Sequence, residues 1–440
     1  MRVSSRSMAV LLALLLLALA PVASSAQQGA ARPISLDEAV RLAQLNSPTT
    51  TQARNALRVG RMNVTNTLSQ FLPSLTVGAN AGNSNGVAFI QGKETPYVGD
   101  PWNYSKGYNA FLTLFDGGQR WFNYRAAQSS LRAGSENDLL QRFNVALNVK
   151  QQYYGVLAAR ETEAAAERQL EQAEQGLRVT TARLRAGAAI HSDSLRSAIA
   201  VGTARLAIIT AQNNLRSANA SLTRLVASQG EVTAIAADTS EVPRIALDSA
   251  VIEKLAQDGP GVRQASAQLA ASKDAKRAAL TTYLPFVSMN YGYSTSKSSP
   301  DFDWGGGPAS SSTRYGFSLS LTIFNNFGRE LNYVTAQVAQ DNAEVSLRDA
   351  TLASRESIAL YLGAFRTATQ TIELQLLQIA AAAEDLRAQQ QRYGLGSASL
   401  LDVLTSQSAL DAARTGLINA RLQARTAKAQ LEALAGRALK

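Results

Sequence analysis

The side chains that perform most enzymatic chemistry are scarce in this sequence. His191 is its one histidine and there is no cysteine, so few nucleophile–base pairs can be assembled. No G-x-S-x-G, Walker loop, H-E-x-x-H or dinucleotide fingerprint occurs. His191 stands beside Asp193 with no acid cluster near it, and reads as an exposed polar residue rather than a metal ligand. The sequence therefore predicts no catalytic, cofactor-binding or metal-binding residues. Asp193 and Asp402 are the acids that stand out, because they occupy matching places in RLRAGAAIHSDSL (Arg183–Leu195) and RYGLGSASLLDVL (Arg392–Leu404). Ser399 and Asp402 also have the spacing of a capping box at a helix start.

That match is one of several. SLDEAVRLAQLNSP (Ser35–Pro48) is echoed by ALDSAVIEKLAQDGP (Ala246–Pro260), and each is followed by Leu-Pro, at Leu72-Pro73 and Leu284-Pro285. LTLFDGGQR (Leu112–Arg120) is echoed by LTIFNNFGR (Leu321–Arg329). The landmarks keep one order and one offset of about 210 residues, far too long for a solenoid repeat. The chain reads as a duplication: residues 27–229, then residues 230–440.

Each unit opens with a short helix, with Ser35 as N-cap and Asp37 and Glu38 in the first turn of the first copy. A second helix runs to the Leu-Pro. The period then changes to two, predicting strands near residues 72–90 and 104–116, and again near 284–298 and 314–325. Leu75, Val77, Ala79 and Ala81 share one face, as do Tyr108, Ala110, Leu112 and Leu114. In the second unit Val287, Met289, Tyr291 and Tyr293 share a face, and so do Tyr315, Phe317, Leu319, Leu321 and Ile323. Strands of about ten residues with one apolar and one polar face suit a tilted bilayer crossing. Tyr97, Trp102, Tyr104 and Trp304 flank them as an interfacial girdle would. Turn-rich loops, Gln91–Asn103 and Ser298–Ser312, join them.

After each second strand the period becomes helical and stays so. No proline interrupts Arg120–Leu184, a rod on the order of 100 Å at 1.5 Å per residue. A second rod spans Arg329–Tyr393. Ala166, Leu170, Ala173, Leu177, Thr180 and Leu184 form a coiled-coil seam, as do Phe365, Thr369, Ile372, Leu376, Ile379, Ala383, Leu386, Gln390 and Tyr393. Gly187-Ala188 and Gly394-Leu395-Gly396 then turn the chain back into a returning helix, with Leu410, Ala413, Leu417, Ala420, Ala424, Ala427, Leu431 and Leu434 on its seam. The fold class is mainly α with a membrane β part, built from two long antiparallel helical hairpins and two β-hairpins. At Phe115, Asp116, Gly117 and Gly118 the strand hands over to the rod, with Asp116 as cap and the glycines allowing the redirection. Phe324 and Asn325 stand at the second handover.

Four strands cannot close a barrel, and an open sheet in lipid leaves backbone groups unpaired at several kcal/mol each. Oligomers are therefore required. Two copies give eight strands with a filled interior; three give twelve and leave a lumen. The N-terminus supports export. Arg2 and Arg6 precede an apolar run from Met8 to Ala20, and Ser24-Ser25-Ala26 is followed by Gln27. Residues 1–26 read as a signal peptide cleaved between Ala26 and Gln27. No later segment reads as a transmembrane helix. The net charge of +10 is interleaved with acids along helices, which predicts solvated faces and no nucleic-acid binding.

The duplicated SLDEAVRLAQLNSP, the Leu-Pro strand entries, LFDGG after the second strand and the RYGLGSASLLDVL turn together resemble the TolC-like outer-membrane efflux channels, over essentially all of the mature chain. The resemblance implies a homotrimer with a twelve-stranded barrel in outer-membrane lipid and a helical tunnel through the periplasm. It implies a periplasmic adaptor bound at the tips, Gly187, Ala188, Gly394, Leu395 and Gly396, and an inner-membrane efflux pump or ABC exporter supplying energy. It implies an acidic pore constriction at Asp193 and Asp402, where carboxylates repeated threefold would raise each other's pKa and attract cations. A second acid one turn later, known in the family, would fall at Thr405 and is absent. Thr113 and Thr322 stand where the family commonly has proline, and the second LFDGG has become IFNNFG. Two other readings stay open. A surface coiled-coil trimer without a pore would carry one strand block near one end. A barrel enzyme would carry catalytic acids or histidine at the strand tops, where the loops hold Asp100, Asp301 and Asp303 but no histidine.

Overall fold

The structure is a computed structural model that describes residues 31–83, 87–90, 92–96, 102–235, 251, 254–255, 257–304 and 308–439. The expected signal peptide, with Ala26 and Gln27, lies outside the described residues, as do Tyr97 and Asp100. A short strand β1 (Arg32–Ile34) leads into helix α1 (Leu36–Asn46). The Ser35 hydroxyl accepts from the Glu38 amide at 3.2 Å and caps α1. Pro48 opens α2 (Pro48–Ser69), where its missing N–H costs nothing.

The expected membrane strands form one four-stranded antiparallel sheet in the order β2 (Ser74–Asn83), β5 (Trp102–Phe115), β7 (Phe286–Ser299), β8 (Ser310–Ser320). Both units contribute two strands, and they meet where β5 pairs with β7. The expected strand near 72–90 is divided. β2 stops at Asn83, and Val87–Ile90 forms β3, which pairs with β4 (Lys93–Pro96) in a separate two-stranded sheet. β8 stops at Ser320, short of the expected residue 325, because its partner β7 begins at Phe286, opposite Ser320. Leu321 and Ile323 thus have no ladder to join.

Two long helices dominate: α3 (Gln119–Arg185) and α6 (Gly328–Gly394), each of 67 residues. Each is followed by a 36-residue helix, α4 (His191–Val226) and α7 (Leu400–Ala435). β6 (Val232–Ala234) follows α4 and pairs in parallel with β1. α5 (Pro260–Thr281) precedes β7. Along α6 and α7, Ala368 and Ile372 pack with Leu417, Ala420 and Ala424, while Leu386 packs with Val403 and Leu410. Two expected seam residues, Leu376 and Gln390, are exposed. Gln375 lies between the buried Ile372 and the half-buried Ile379 instead, and the space above Gly416 admits its amide.

The main core lies midway along the rods. Val145, Val149, Tyr153, Val156 and Leu157 of α3 meet Ile34, Ala39, Ala43, Leu222, Val226, Val232 and Ala234. The Tyr153 hydroxyl donates to the Ile34 carbonyl and accepts from the Ile235 amide, each at 3.2 Å, so the one polar atom at the centre is satisfied. The units are tied together by ion pairs. Lys150 of α3 meets the buried Glu432 of α7, and Arg125 of α3 lies 3.4 Å from the buried Asp274 of α5.

One helix departs from the expectation that no further segment could span a membrane. α4 is long and apolar enough by length and composition, with a mean hydropathy of 1.2 over its best stretch. Its small residues Ser197, Val201, Ala204 and Ala211 are buried, whereas Leu195, Ile199, Leu206 and Ile209 are exposed.

Candidate functional site

Strand alternation sorts the sheet into two faces. Leu75 and Val77 of β2, Tyr108, Ala110 and Leu112 of β5, Val287, Met289, Tyr291 and Tyr293 of β7, and Tyr315, Phe317 and Leu319 of β8 fall in register on one face. Many of these are exposed; Val77 is 78% and Leu319 74% exposed. A water-facing sheet would not present such a surface, whereas lipid would cover it. Tyr108 lies 5.4 Å from Tyr293 and 6.1 Å from Tyr291 between ring centroids, forming a tyrosine band. The other face is mostly serine, asparagine, threonine and glycine, with Arg314 midway along it and Phe111 and Phe286 toward the rods. Ser288 and Ser318 share a 2.8 Å hydrogen bond there, and Asn290 leans over Gly316. At the loop end, Trp102, Tyr104, Phe302 and Trp304 cluster with centroids 4.9–6.3 Å apart.

The opposite ends of β5 and β8 turn into the rods. Asp116 Oδ1 accepts from the Gly118 amide at 3.1 Å, and Oδ2 accepts from the Arg120 amide at 3.0 Å and Arg120 Nε at 2.8 Å. Gly117 and Gly118 have φ of +67° and +92°. Arg120 then lies over Phe71, 4.9 Å from its centroid. The second junction repeats this geometry with other residues. Asn325 Oδ1 accepts from the Arg329 amide at 3.3 Å, Asn326 and Phe327 take φ of +56° and +62°, and Arg329 lies 4.8 Å from the Tyr283 centroid.

At the far ends of the rods, both turns are Schellman motifs. Gly187 and Gly396 carry φ of +72° and +77°. The Ala188 amide donates to the Arg183 carbonyl and the Ser397 amide to the Arg392 carbonyl, both at 2.8 Å. Gly394 is the last helical residue and Leu395 stays right-handed, so only Gly396 of that trio uses glycine's freedom. Gly187, Ala188, Gly394, Leu395 and Gly396 are all exposed. Asp193 lies in the first turn of α4. Asp402 completes a capping box with Ser399, its Oδ2 accepting from the Ser399 amide and hydroxyl at 2.8 Å. These bonds hold the exposed Asp402 carboxyl below the usual range, with Ser399's amide the larger cause. Arg183 crosses between the tips, donating to the Tyr393 carbonyl with its guanidinium 4.5 Å from that ring's centroid. Burial, then the Asp193 charge, push the Tyr393 phenol upward against Arg183.

A family model described as outer membrane efflux protein matches residues 39–228 and 251–437. The chain belongs to the outer membrane efflux protein family. No curated protein matches its sequence. Among solved structures, it is similar to CusC at 20% identity, covering 92% of this chain and 94% of that one with a TM-score of 0.80. It is similar to VceC from Vibrio cholerae at 19% identity, covering 92% and 97% with a TM-score of 0.77, and to CmeC from Campylobacter jejuni at 18%, covering 91% and 85% with a TM-score of 0.78. These likenesses establish the fold. Efflux-family membership places the chain in the outer membrane, with its long helices extending into the periplasm. Channels of this family act within tripartite efflux systems, generally as trimers. Family and fold are those of channel proteins.

Two features of this efflux protein escaped the sequence reading. Arg120 and Arg329 recur in step, yet their stacking on Phe71 and Tyr283 emerges only when the preceding helix is brought back to the junction; the shared aromatic before each Leu-Pro was the available signal. Asp411 is the other. It sits near a groove of about 860 Å³ between the helical pairs, lined also by Gln172, Thr180, Gln390, Tyr393 and Gln407. Burial pushes its carboxyl upward, opposed by Arg414 at 3.7 Å.

Proposed function

We propose that this protein is the exit duct of a tripartite efflux or type I secretion system, a homotrimer that conducts substrates passively from an inner-membrane pump to the outside. One observation carries the reading: a four-stranded sheet with an apolar outward face and no partner for either edge strand, β2 or β8, among the described residues. Unpaired edges do not persist in lipid. Three copies supply twelve strands, closing the sheet with the serine- and asparagine-rich face inward. The long helices then continue the lumen as a tunnel, each copy contributing two structural repeats.

In this reading the junctions at Phe115–Gly118 and Phe324–Asn325 mark the periplasmic boundary of the outer membrane. The exposed turns at Gly187-Ala188 and Gly394–Gly396 meet a periplasmic adaptor, and Asp193 and Asp402 repeat threefold as the constriction. The pump, an efflux pump or ABC exporter, supplies the energy. The test is single-channel recording of the purified trimer in a planar bilayer. Stepwise conductance is expected; a non-conducting, water-soluble trimer would overturn the reading.

A further inference from the structure

We propose that Arg314 forms an anion-attracting ring about midway along the barrel lumen. The inference rests on the trimeric conduit reading and names a selectivity element within it. On the face that closure would turn inward, β2 presents Thr76, Gly78 and Asn80, β5 presents Asn103, Ser105, Gly107 and Asn109, and β7 presents Asn290, Gly292, Ser294, Ser296 and Ser298, with Phe111, Thr113, Phe286 and Ser288 toward the rod end. β8 presents Ser310, Ser312, Arg314, Gly316, Ser318 and Ser320. Among the described residues of these strands, Arg314 is the single charge on that face and no carboxylate shares it. The two lysines of the sheet, Lys106 and Lys297, fall on the opposite face, with Tyr104 and Tyr293. Lys297 is paired with Asp303 at 2.6 Å. Arg314 is exposed.

Its neighbours leave the guanidinium uncovered. Arg314 stands opposite Gly292, which has no side chain to lie over it, and Gly316 follows two residues along its own strand. Its level is that of Tyr291 and Tyr293 on the apolar face, midway along β5 and β7. Twelve strands spaced about 4.8 Å and tilted about 40° enclose a barrel of roughly 12 Å backbone radius. An extended arginine covers a good part of that distance. At physiological ionic strength the Debye length is about 8 Å, so three guanidinium fields overlap on the axis. A lumen walled by neutral groups and protein dielectric focuses that field on passing anions, and a guanidinium can bind phosphate oxygens in a bidentate manner. The barrel would thus favour anions, opposite in sign to the proposed carboxylates at the tip.

The test compares trimers of wild type, Arg314→Gln and Arg314→Lys in planar bilayers under a KCl gradient, with inorganic tripolyphosphate added on the extracellular side. Tripolyphosphate is expected to block wild-type current, and Arg314→Gln to raise the half-blocking concentration about tenfold or more. Arg314→Gln should also shift the reversal potential toward that of potassium, while Arg314→Lys stays near wild type. Equal block and equal reversal potential in wild type and Arg314→Gln would overturn the proposal while leaving the conduit intact. A wild-type trimer that passes no current would overturn the conduit reading itself.

Discussion

Arg183 and Tyr393 join the two helical tips: the guanidinium lies over the ring at 4.5 Å and donates to the same residue's backbone carbonyl. Their sequence separation is 210 residues, so the contact binds one repeat to the other where each chain turns. Arg183→Ala removes both interactions. A half-exposed cation–π contact is worth about 1 kcal/mol, which corresponds to about fivefold more frequent local opening. Amide exchange should accelerate by about that factor in the second turn, residues 392–399, although the substitution is in the first. Tyr393→Phe retains the ring and the carbonyl, and removes a buried hydroxyl that has no partner; it should leave exchange near wild type. Unchanged exchange at the second turn in Arg183→Ala would show that the tips are not coupled through this pair.

Asp402 has two roles to separate. Its carboxylate closes the capping box with Ser399, and the proposed trimer repeats it threefold about the pore. Asp402→Ala is expected to weaken divalent-cation block of the single-channel current; unchanged block would sink the constriction role. The same hydrogen bonds give the pH dependence a sign. Because the folded carboxyl lies below its ordinary value of about 3.9, its stabilising contribution is present above that pH. It is lost only as pH falls through the lower folded value. In the trimer these hydrogen bonds oppose the upward push that the three ring carboxylates exert on one another, so block by divalent cations should persist to a lower pH in wild type than in a variant that lacks them. Ser399→Ala removes the capping hydroxyl, costs about 1 kcal/mol of helix stability, and should make the block fade at a higher pH.

How much was legible in the sequence depended on whether the governing interaction was local. Helical and two-residue periods are local, so α3, α6 and the faces of β7, β8 and of β5 as far as Thr113 follow directly from residue spacing; beyond it a bulge puts Phe115, not the expected Leu114, opposite Val287. Schellman turns are local too, and the glycines of both tips predict them. The end of β8 is not local: Leu321 and Ile323 continue its alternation, but β7 has already begun at Phe286 and offers no further backbone. The seam departs at Leu376 for a similar reason, since Gly416 on the opposite helix opens room for Gln375. The stacking of Arg120 on Phe71 and the burial of Asp411 each need two elements distant in sequence to be brought together.

Gly117 and Gly187 separate two costs of adding a side chain. Both have positive φ, +67° and +72°, so alanine at either position is strained by about 1–2 kcal/mol. A Cβ on Gly187 meets open space. A Cβ on Gly117 would lie 2.8 Å from Leu284 Cδ1 and 3.0 Å from the Thr281 carbonyl, where the end of α5 approaches the junction. Overpacking adds about 1–3 kcal/mol there. Gly117→Ala should therefore lower the unfolding midpoint of the detergent-solubilised protein clearly more than Gly187→Ala. Equal losses would mean that Leu284 yields freely and that the junction is not closely packed.

Asp411 supplies the opposite pH signature to Asp402. Burial raises its carboxyl pKa in the folded state, with Arg414 opposing, and Oδ2 is buried without a partner. The folded state therefore binds more protons than the unfolded chain between the ordinary value of about 3.9 and the raised one. In that window stability falls as pH rises, and above it the penalty for a charged, half-buried carboxylate is fully present. Asp411→Asn removes the charge while keeping the shape and supplying an amide to a groove lined with glutamine side chains. The variant should unfold at a higher temperature than wild type at pH 7, and the difference should vanish as pH falls toward 4. A pH-independent difference would assign the effect to packing, and a less stable variant at pH 7 would show that the Arg414 ion pair outweighs burial.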